Sequence, residues 1–191
     1  CADSGDNVLY VGVAKRDITP PIEPFTDTNK NSVYDEGEPY TDVNKNGKFD
    51  DFWLAGFSGG RQAYGVLDPV WARAIAIRQN QTTVVLVAVD SVGLFWDETP
   101  EVEKLLDKRL GVDLLMLHST HDHETADTTG GWGRDFLTYG VNEDYQRSYR
   151  RAIADAITEA VQGVRPARMT ASSVLVEDEP NHDMLPYVND T

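Results

Sequence analysis

The fold is decided by the segment TTVVLVAVD, residues 82–90, an unbroken run of apolar and mostly β-branched side chains. The run lacks the alternation of a half-exposed strand, so it predicts a strand that is buried on both faces. A strand of this kind lies inside a sheet, and the segments before and after it are expected to supply its neighbours.

Four further segments predict strands. VWARAIAIRQ alternates apolar and polar residues and predicts a half-buried strand, and VDLLMLHST predicts a second buried strand. VLYVGVAKRDITP predicts a first strand that ends at a proline-marked turn, and ARMTASSVLVED predicts the last strand. These segments occupy residues 70–79, 112–120, 8–20 and 167–178.

Two helices are predicted between the strands. Residues 99–111 have Thr99 as a candidate N-cap and Gly111 as a terminator. Residues 142–163 have Asn142 as a cap and an apolar stripe at helical spacing. The stripe consists of Tyr145, Tyr149, Ile153, Ile157 and Val161. The order of elements predicts the α/β class, with a mixed or parallel sheet covered by helices.

The composition argues against nucleic acid and anionic lipid surfaces as partners. The net charge is −15, from 17 basic and 32 acidic residues, whereas phosphate backbones and anionic lipid surfaces attract basic faces. No apolar run reaches the ~20 residues that span a bilayer. The acidic excess fits either a solubilising surface or a set of cation ligands, and we expect a mixture of both.

The only cysteine is Cys1, so no disulfide can form within the chain. The polar stretch ADSGDN after it is typical of a mature bacterial lipoprotein, in which the cysteine carries the lipid and residues 1–7 form a flexible tether. A trimmed chain is the alternative. We expect an extracytoplasmic location, either secreted or at the cell surface of a bacterium.

The length of 191 residues favours one domain, here residues 8–191. Residues 20–65 have little helical or strand periodicity and are rich in Asp, Asn, Gly and Pro. A loop of this length is normally functional or ordered by a ligand. We therefore predict a calcium-binding insertion at residues 26–53, after the first strand.

The first half of this insertion, DTNKNSVYDEGE at residues 27–38, matches the ligand spacing of an EF-hand-type calcium loop. Only the sixth position departs, with Ser32 where glycine usually makes the turn. The predicted oxygen ligands are Asp27, Asn29, Asn31, the Val33 carbonyl, Asp35 and Glu38.

The second half, DVNKNGKFDD at residues 42–51, repeats the pattern with Gly47 at the turn. Its predicted ligands are Asp42, Asn44, Asn46 and Asp50. The twelfth position is Trp53, so Asp51 or a ligand from elsewhere has to close this loop. The alternative is a pair of solvated Asx turns without an ion. Because no helical pattern flanks the loops, the predicted calcium is structural, and the number of ions stays open.

Three of the four histidines lie within residues 118–123. His121 and His123 follow a predicted strand, and alternate side chains on an extended backbone share a face, so both imidazoles are expected to face one ion. The carboxyl end of a strand is where α/β sheets place ligands. His118 has the opposite parity and is expected in the core or beside a ligand. Two surface histidines without an ion are the alternative for the pair.

Three other positions are weaker candidates. Asp90 ends the central strand, where it either belongs to a site or caps the following turn. Arg61 either holds a carboxylate or phosphate, or is a surface arginine. His182 is expected to be an ordinary loop histidine.

Four segments together resemble the start of the neutral/alkaline ceramidase family, in order and in spacing. They are VGVAKRDITPP, GFSGGRQAYGVLDPVWARAIAI, VVLVAVDSVGL and STHDHETADTTGGWG. The resemblance implies a zinc-dependent hydrolase of sphingolipid metabolism that cleaves the N-acyl (amide) bond of a lipid-like substrate. It implies that His121 binds the catalytic zinc and that His123 lies close by, near the substrate.

The resemblance also implies that this chain corresponds to the amino-terminal part of a longer catalytic domain, whose remaining part completes the zinc site. Two features depart from the family. Glu124, Thr125 and Ala126 replace the usual Ser-Gly-Pro, and the acidic insertion is foreign to the best-known members. The second hypothesis is therefore a catalytically inactive, calcium-stabilised extracellular surface or assembly protein on the same fold.

Overall fold

The computed structural model of the protein describes residues 8–135 and 137–173. Cys1, the predicted tether and His182 lie outside the described residues. The strands are β1 (Leu9–Asp17), β2 (Trp71–Gln79), β3 (Thr82–Val89), β4 (Leu114–Ser119) and β5 (Arg165–Ala167). The helices are α1 (Glu98–Glu103) and α2 (Glu143–Gln162), with a short 3-10 helix at Lys108–Leu110.

The strands form a mixed five-stranded sheet in the order β4-β3-β2-β1-β5, which confirms the predicted α/β class. Only β3 and β4 run parallel; the other described neighbours are antiparallel. The register pairs Asp17 with Trp71, and Val89 with both Ala72 and Ser119. The long insertion, the loop after β3 and the histidine loop therefore all leave the same end of the sheet.

Helix α2 packs on one face of this sheet. Its Asn142 cap accepts a hydrogen bond from the Tyr145 backbone N–H at 3.0 Å, as predicted. A Cβ at Gly12 of β1 would lie 1.9 Å from the Ala160 carbonyl oxygen, so only glycine permits the close approach of the helix. The buried cluster consists largely of Ala72, Ala74, Ala76, Val85, Val87, Val89, Tyr149, Ile153 and Ile157.

The opposite face of the sheet, which we call the outer face, is not covered by any described element. Both helices contribute to one buried cluster, and β3 alternates between buried and half-buried residues. The prediction that β3 is buried on both faces is therefore wrong for the described part of the chain. Three large apolar side chains on this face are at least half exposed: Val13 at 65%, Leu114 at 50% and Met116 at 52%.

The first predicted helix and the last predicted strand differ from the structure. α1 begins after Asp97, not after Thr99, and it ends at Glu103. The chain then makes a 3-10 turn, because the Asp107 side chain accepts the Arg109 N–H, and Gly111 ends the turn with a φ of +63°. Within the described residues, no helix is long and apolar enough to cross a membrane.

β5 begins earlier than predicted and contains only three residues. It pairs with Leu9–Val11, and it stops at Ala167 because β1 itself begins at Leu9. Residues 168–173 form no strand, and the remainder of the predicted strand lies outside the described residues.

Candidate metal centres

The histidine loop begins directly after β4, and its backbone turns at His121. The φ of His121 is +61°, which is left-handed, so the extended-strand argument for the histidine pair is wrong. The loop is fixed to the end of β3 instead. The Thr120 N–H donates to the Val89 carbonyl at 3.0 Å, and the Asp122 N–H donates to the Ser91 carbonyl at 3.1 Å.

The two imidazoles nevertheless converge. Their Nε2 atoms lie 3.1 Å apart, and the ring planes are inclined by 77°. Two nitrogen ligands of a tetrahedral zinc, each at ~2.0–2.1 Å from the ion, are roughly 3.3 Å apart. The separation of the His121 and His123 nitrogens is close to that of two ligands of one ion.

The tautomer of His121 is set by the backbone. Its Nδ1 lies 2.7 Å from the Val92 carbonyl oxygen, which can only accept a hydrogen bond. Nδ1 therefore carries the proton, and Nε2 presents a lone pair toward His123. A donor contact from the second ring nitrogen to a carbonyl is the usual support of a metal-binding histidine.

The ring of His123 is confined by the segment before β2. A Cβ at Gly56 would lie 2.4 Å from His123 Cγ, so this glycine leaves the space that the ring occupies. The Phe57 ring meets the His123 ring edge-on at a centroid distance of 5.1 Å. The Arg61 guanidinium donates to the His123 carbonyl at 2.9 Å.

The other sequence candidates do not join this pair. His118 is exposed on the outer face opposite Ala88, because β4 is an edge strand, so its predicted place in the core is wrong. Asp90 accepts both the Trp71 N–H and the Arg73 guanidinium, which fits a structural role at the sheet end. Arg61 points inward and pairs with Glu124 at 3.0 Å.

A cavity of about 230 Å³ lies on the other side of the histidine loop. Its walls include Ile22, Leu54 and Val70, with Asp122 and Glu124 at the polar side. Neither imidazole lines this cavity, so it is not the space between the two rings. Within the described ranges, no group of three or more His, Cys, Asp or Glu side chains is arranged to hold a metal, so only two candidate ligands converge here.

The two acidic loops have the same internal hydrogen bonds. Asp27 accepts the N–H groups of Asn31 and Ser32, and Asn29 and Asn31 donate to Asp35. The second loop repeats every one of these contacts fifteen residues later, from Asp42, Asn44, Asn46, Gly47 and Asp50. The predicted similarity of the loops therefore extends to their three-dimensional geometry.

Glu23 closes the second loop, and the ligand spacing within that loop did not predict it. In the first loop, Glu38 accepts the Thr28 N–H at 2.7 Å and the Asp35 N–H at 3.0 Å. In the second loop, Glu23 accepts the N–H groups of Val43 and Asp50 at 2.9 Å and 3.0 Å. Asp51, the candidate within the loop, instead accepts from Gln62.

A sequence signal for Glu23 was available. EPFTDTNKNSVYD at 23–35 and EPYTDVNKNGKFD at 38–50 form an internal repeat that begins with the glutamate, four residues before each loop. The glutamate of each repeat closes the loop of the other repeat. The Thr26 N–H donates to Pro39 and the Thr41 N–H donates to Pro24, so the exchange is reciprocal.

An aromatic cluster joins the two repeats. Tyr34 and Phe49 occupy equivalent positions, and their rings stack at 3.9 Å with an interplanar angle of 16°. Phe25 and Tyr40, also equivalent, form an isolated β-bridge and pack edge-on against this stack. The insertion thus has a small core of its own, built on an approximate twofold relation.

Charge and hydrogen bonding keep the loop carboxylates ionised. Donation from Arg134, and then from Asn29 and Asn31, lowers the pKa of Asp35 to about 2. Burial acts to raise the pKa of Asp50, but donation from Lys48 and two asparagines outweighs it, and the pKa is lowered. These carboxylates are therefore available to a cation at neutral pH.

Comparison with known proteins supports the fold. The solved structures that match include neutral ceramidase from Pseudomonas aeruginosa and a ceramidase complexed with C2. Each match has 20% identity and a TM-score of 0.58, and it covers 84% of this chain. No family model matches the chain, and no curated protein matches it significantly.

The resemblance to neutral ceramidase that the sequence predicted is confirmed at the level of the fold. The chain spans 22% of the length of the solved ceramidase chains that it matches. The activity of a whole ceramidase is therefore a matter for proposal.

Proposed function

We propose that the chain is part of a ceramidase-like, zinc-dependent hydrolase that cleaves the N-acyl (amide) bond of a lipid-like substrate. The observation that carries the proposal is the convergence of His121 and His123 at 3.1 Å. The loop that holds them follows a parallel strand pair on a fold similar to that of neutral ceramidase, which supports the assignment.

His121 Nε2 is the zinc ligand in this proposal, and the Val92 carbonyl holds its ring in the required tautomer. Zinc, when bound, polarises a substrate carbonyl and lowers the pKa of an oxygen nucleophile. His123 lies beside the ligand and orients the reacting groups through its ring nitrogens. Its confinement by Gly56 and Phe57 suits this role, because positioning groups have to be held rigidly.

We also propose that further polypeptide completes the zinc site and covers the outer face of the sheet. The matched ceramidase chains are several times longer than this chain. Val13, Leu114 and Met116 leave a contiguous apolar surface, and sheets with parallel strands are normally covered on both sides. Alternatively, another subunit of a larger assembly covers the outer face.

The hydrolase proposal is tested on the polypeptide as the cell makes it. His121→Ala should remove zinc and lower the rate of fatty-acid release from N-acyl lipids by about 100-fold or more. His123→Ala should lower the rate and weaken zinc binding by about 10–100-fold without abolishing it, because His121 is still present. His118→Ala is the matched control, because this histidine is exposed on the outer face and does not join the pair. A His121→Ala enzyme with the parent rate contradicts the proposal.

A second candidate function rests on the acidic insertion. Parent protein that contains calcium, lacks zinc and hydrolyses no N-acyl lipid would favour the inactive, calcium-stabilised surface or assembly protein. The two hypotheses share the calcium proposal and differ only in the histidine pair.

We propose that each acidic loop binds one structural calcium ion. Each loop combines three carboxylates with two asparagine amides, and all of these are oxygen donors of the kind that calcium prefers. The first set contains Asp27, Asn29, Asn31, the Val33 carbonyl, Asp35 and Glu38, and the second contains Asp42, Asn44, Asn46, Asp50 and Glu23. Calcium binding requires each asparagine to turn toward the ion the oxygen that now accepts the N–H two residues on, in place of the NH2 group that now donates to Asp35 or Asp50.

The calcium loops support the rim of the histidine site in this proposal. Gln62 accepts the Tyr34 N–H and donates to Asp51, so it ties the first loop to the segment that carries Arg61. Arg134 bonds both the Tyr34 carbonyl and Asp35. An ordered insertion therefore holds the chain on both sides of the imidazole pair.

The location is proposed from the sequence alone. A calcium-dependent insertion suits an extracytoplasmic protein, and Cys1 with its polar tether suits a lipid anchor. Metabolic labelling with a fatty acid tests the anchor. Parent protein should carry the label and Cys1→Ser should not, and equal labelling of both contradicts acylation at Cys1.

A further inference from the structure

We infer that Arg61 is a positioning residue that fixes the backbone of His123, and with it the distance between the two imidazole nitrogens. This inference rests on the proposed zinc site. The hypothesis of a plain surface arginine does not account for the contacts of this side chain, which point into the molecule.

The guanidinium of Arg61 connects two consecutive residues of the histidine loop. One terminal nitrogen donates to the His123 carbonyl at 2.9 Å, and the other donates to both oxygens of Glu124 at 3.0 and 3.2 Å. The first nitrogen also lies 3.3 Å from the Ala55 carbonyl. The planar group thus holds the loop against the segment that confines the His123 ring.

The segment that carries Arg61 is itself fixed in register. The Leu54 N–H donates to the Arg61 carbonyl at 2.8 Å, and Trp53 and Gln62 form a β-bridge. The Ala55 N–H donates to the Thr125 carbonyl at 2.9 Å. Because these backbone bonds do not involve the guanidinium, the loop keeps its attachment when the Arg61 side chain is removed.

Removal of the side chain therefore acts on His123 more than on the fold. The His123 carbonyl loses the Arg61 donor, and the Glu124 carboxylate loses its ion pair with Arg61. The carbonyl can then rotate, and the ring moves away from the contact with His121. Displacements of ~0.5 Å are enough to spoil a metal or catalytic arrangement. Lysine cannot replace the arginine, because one ammonium does not span the planar set of contacts.

The inference is tested with Arg61→Ala and Arg61→Lys, with Arg16→Ala as the matched control. Arg16 pairs with Glu159 of α2, and its described hydrogen bond goes to the Lys15 carbonyl, not to the histidine loop. Nitrogen NMR of the imidazoles in metal-free protein reports the tautomers directly. Parent and Arg16→Ala should give one tautomer for each ring, with the Nε2 proton of His123 donated to His121. Both Arg61 variants should keep the His121 signal and give an averaged His123 signal.

Zinc titration gives the second measurement. The Arg61 variants should bind zinc at least about tenfold more weakly than parent, and millimolar methylguanidinium should restore part of the affinity of Arg61→Ala. Parent-like ring signals and affinity in both Arg61 variants overturn the inference. A parent protein that binds no zinc overturns the proposed function instead, while the ring signals still decide the role of Arg61.

Discussion

The two acidic repeats differ in a few positions, although their backbones make the same bonds. The first has Ser32 at the turn and Arg134 against its ninth residue, and the second has Gly47 and Lys48. Their closing glutamates are also buried to different degrees, Glu38 with 8% exposure and Glu23 with 1%. The two loops therefore have the same hydrogen-bond geometry although several of their residues differ. The glutamate that closes each loop comes from the other repeat.

Removal of calcium should lower the stability of the two acidic loops more than any single substitution in them. Each ion that binds only the folded insertion adds about 2.7 kcal/mol when its concentration is 100 times the dissociation constant. Parent protein at saturating calcium should therefore unfold at a clearly higher temperature than protein in a chelator. Calorimetric titration should give two ions per chain. Equal melting temperatures with and without calcium would contradict both loops as ion sites.

Substitution of each closing glutamate should distinguish the contributions of the two loops. Glu23→Gln should remove one calcium ion, and Glu38→Gln should remove the other, because each variant lacks one closing carboxylate. Glu23→Ala should cost more, since it leaves the buried Asp50 N–H without an acceptor, at about 1–3 kcal/mol, and also removes the acceptor of the part-buried Val43 N–H. Urea unfolding and titration check both effects.

Asp51→Asn is the matched control for Glu23, because Asp51 is the loop residue that does not close the site. It should retain two calcium ions. A variant of Glu23 that also retains two ions would mean that another residue closes the second loop.

The residues at the two turns can be swapped, and we expect a smaller change in the free energy of unfolding from these substitutions. Ser32 has a φ of +65° and Gly47 a φ of +79°, and a left-handed conformation costs a residue with a Cβ about 1–2 kcal/mol. Ser32→Gly should raise the free energy of unfolding by about 1 kcal/mol, and Gly47→Ser should lower it by a similar amount. A Cβ at Gly47 meets no atom within 4 Å, so the change reports the backbone alone. Opposite signs would contradict the left-handed assignment.

The smallest expected effect is the pH dependence of stability that Asp35 gives to the first loop. Hydrogen bonds from Arg134, and then from the asparagines, lower the pKa of Asp35 from 3.8 to about 2. A lowered pKa stabilises the folded state fully above the unfolded value, and this contribution is lost as the pH falls from 3.8 toward 2. In calcium-free buffer, parent protein should lose stability more steeply over this interval than Asp35→Asn. Equal slopes would contradict the role of Asp35.

The sequence predicted what depends on local pattern. The mixed sheet, the helix with its Asn142 cap and the spacing of both loops follow from periodicity and turn chemistry. Thr99 is not the cap, because the helix already begins at Glu98, whose buried carboxylate accepts from Arg150 of α2. Asp97 precedes the helix without a side-chain cap bond, and the Asp107 cap of the 3-10 turn divides the predicted helix. A contact to a distant helix is not visible in hydrophobic periodicity.

The candidate sites were predictable only in part. His121 and His123 were identified, but the turn at His121 and its bond to Val92 depend on the distant end of β3. Glu23 closes a loop that begins nineteen residues later, although the repeated EP dipeptide could have indicated it. The burial of β3 depends on what covers the outer face, which local pattern does not specify.

The exchange of glutamates between the repeats has a consequence for how the insertion responds to its surroundings. Ordering either loop also immobilises the segment that supplies the other loop with its last ligand, so the first ion lowers the entropic cost for the second. The two ions should therefore enter together over a narrow range of concentration. Under the calcium proposal, we expect the insertion to respond to the ion as one unit, ordered where calcium is plentiful and loosened where it is scarce.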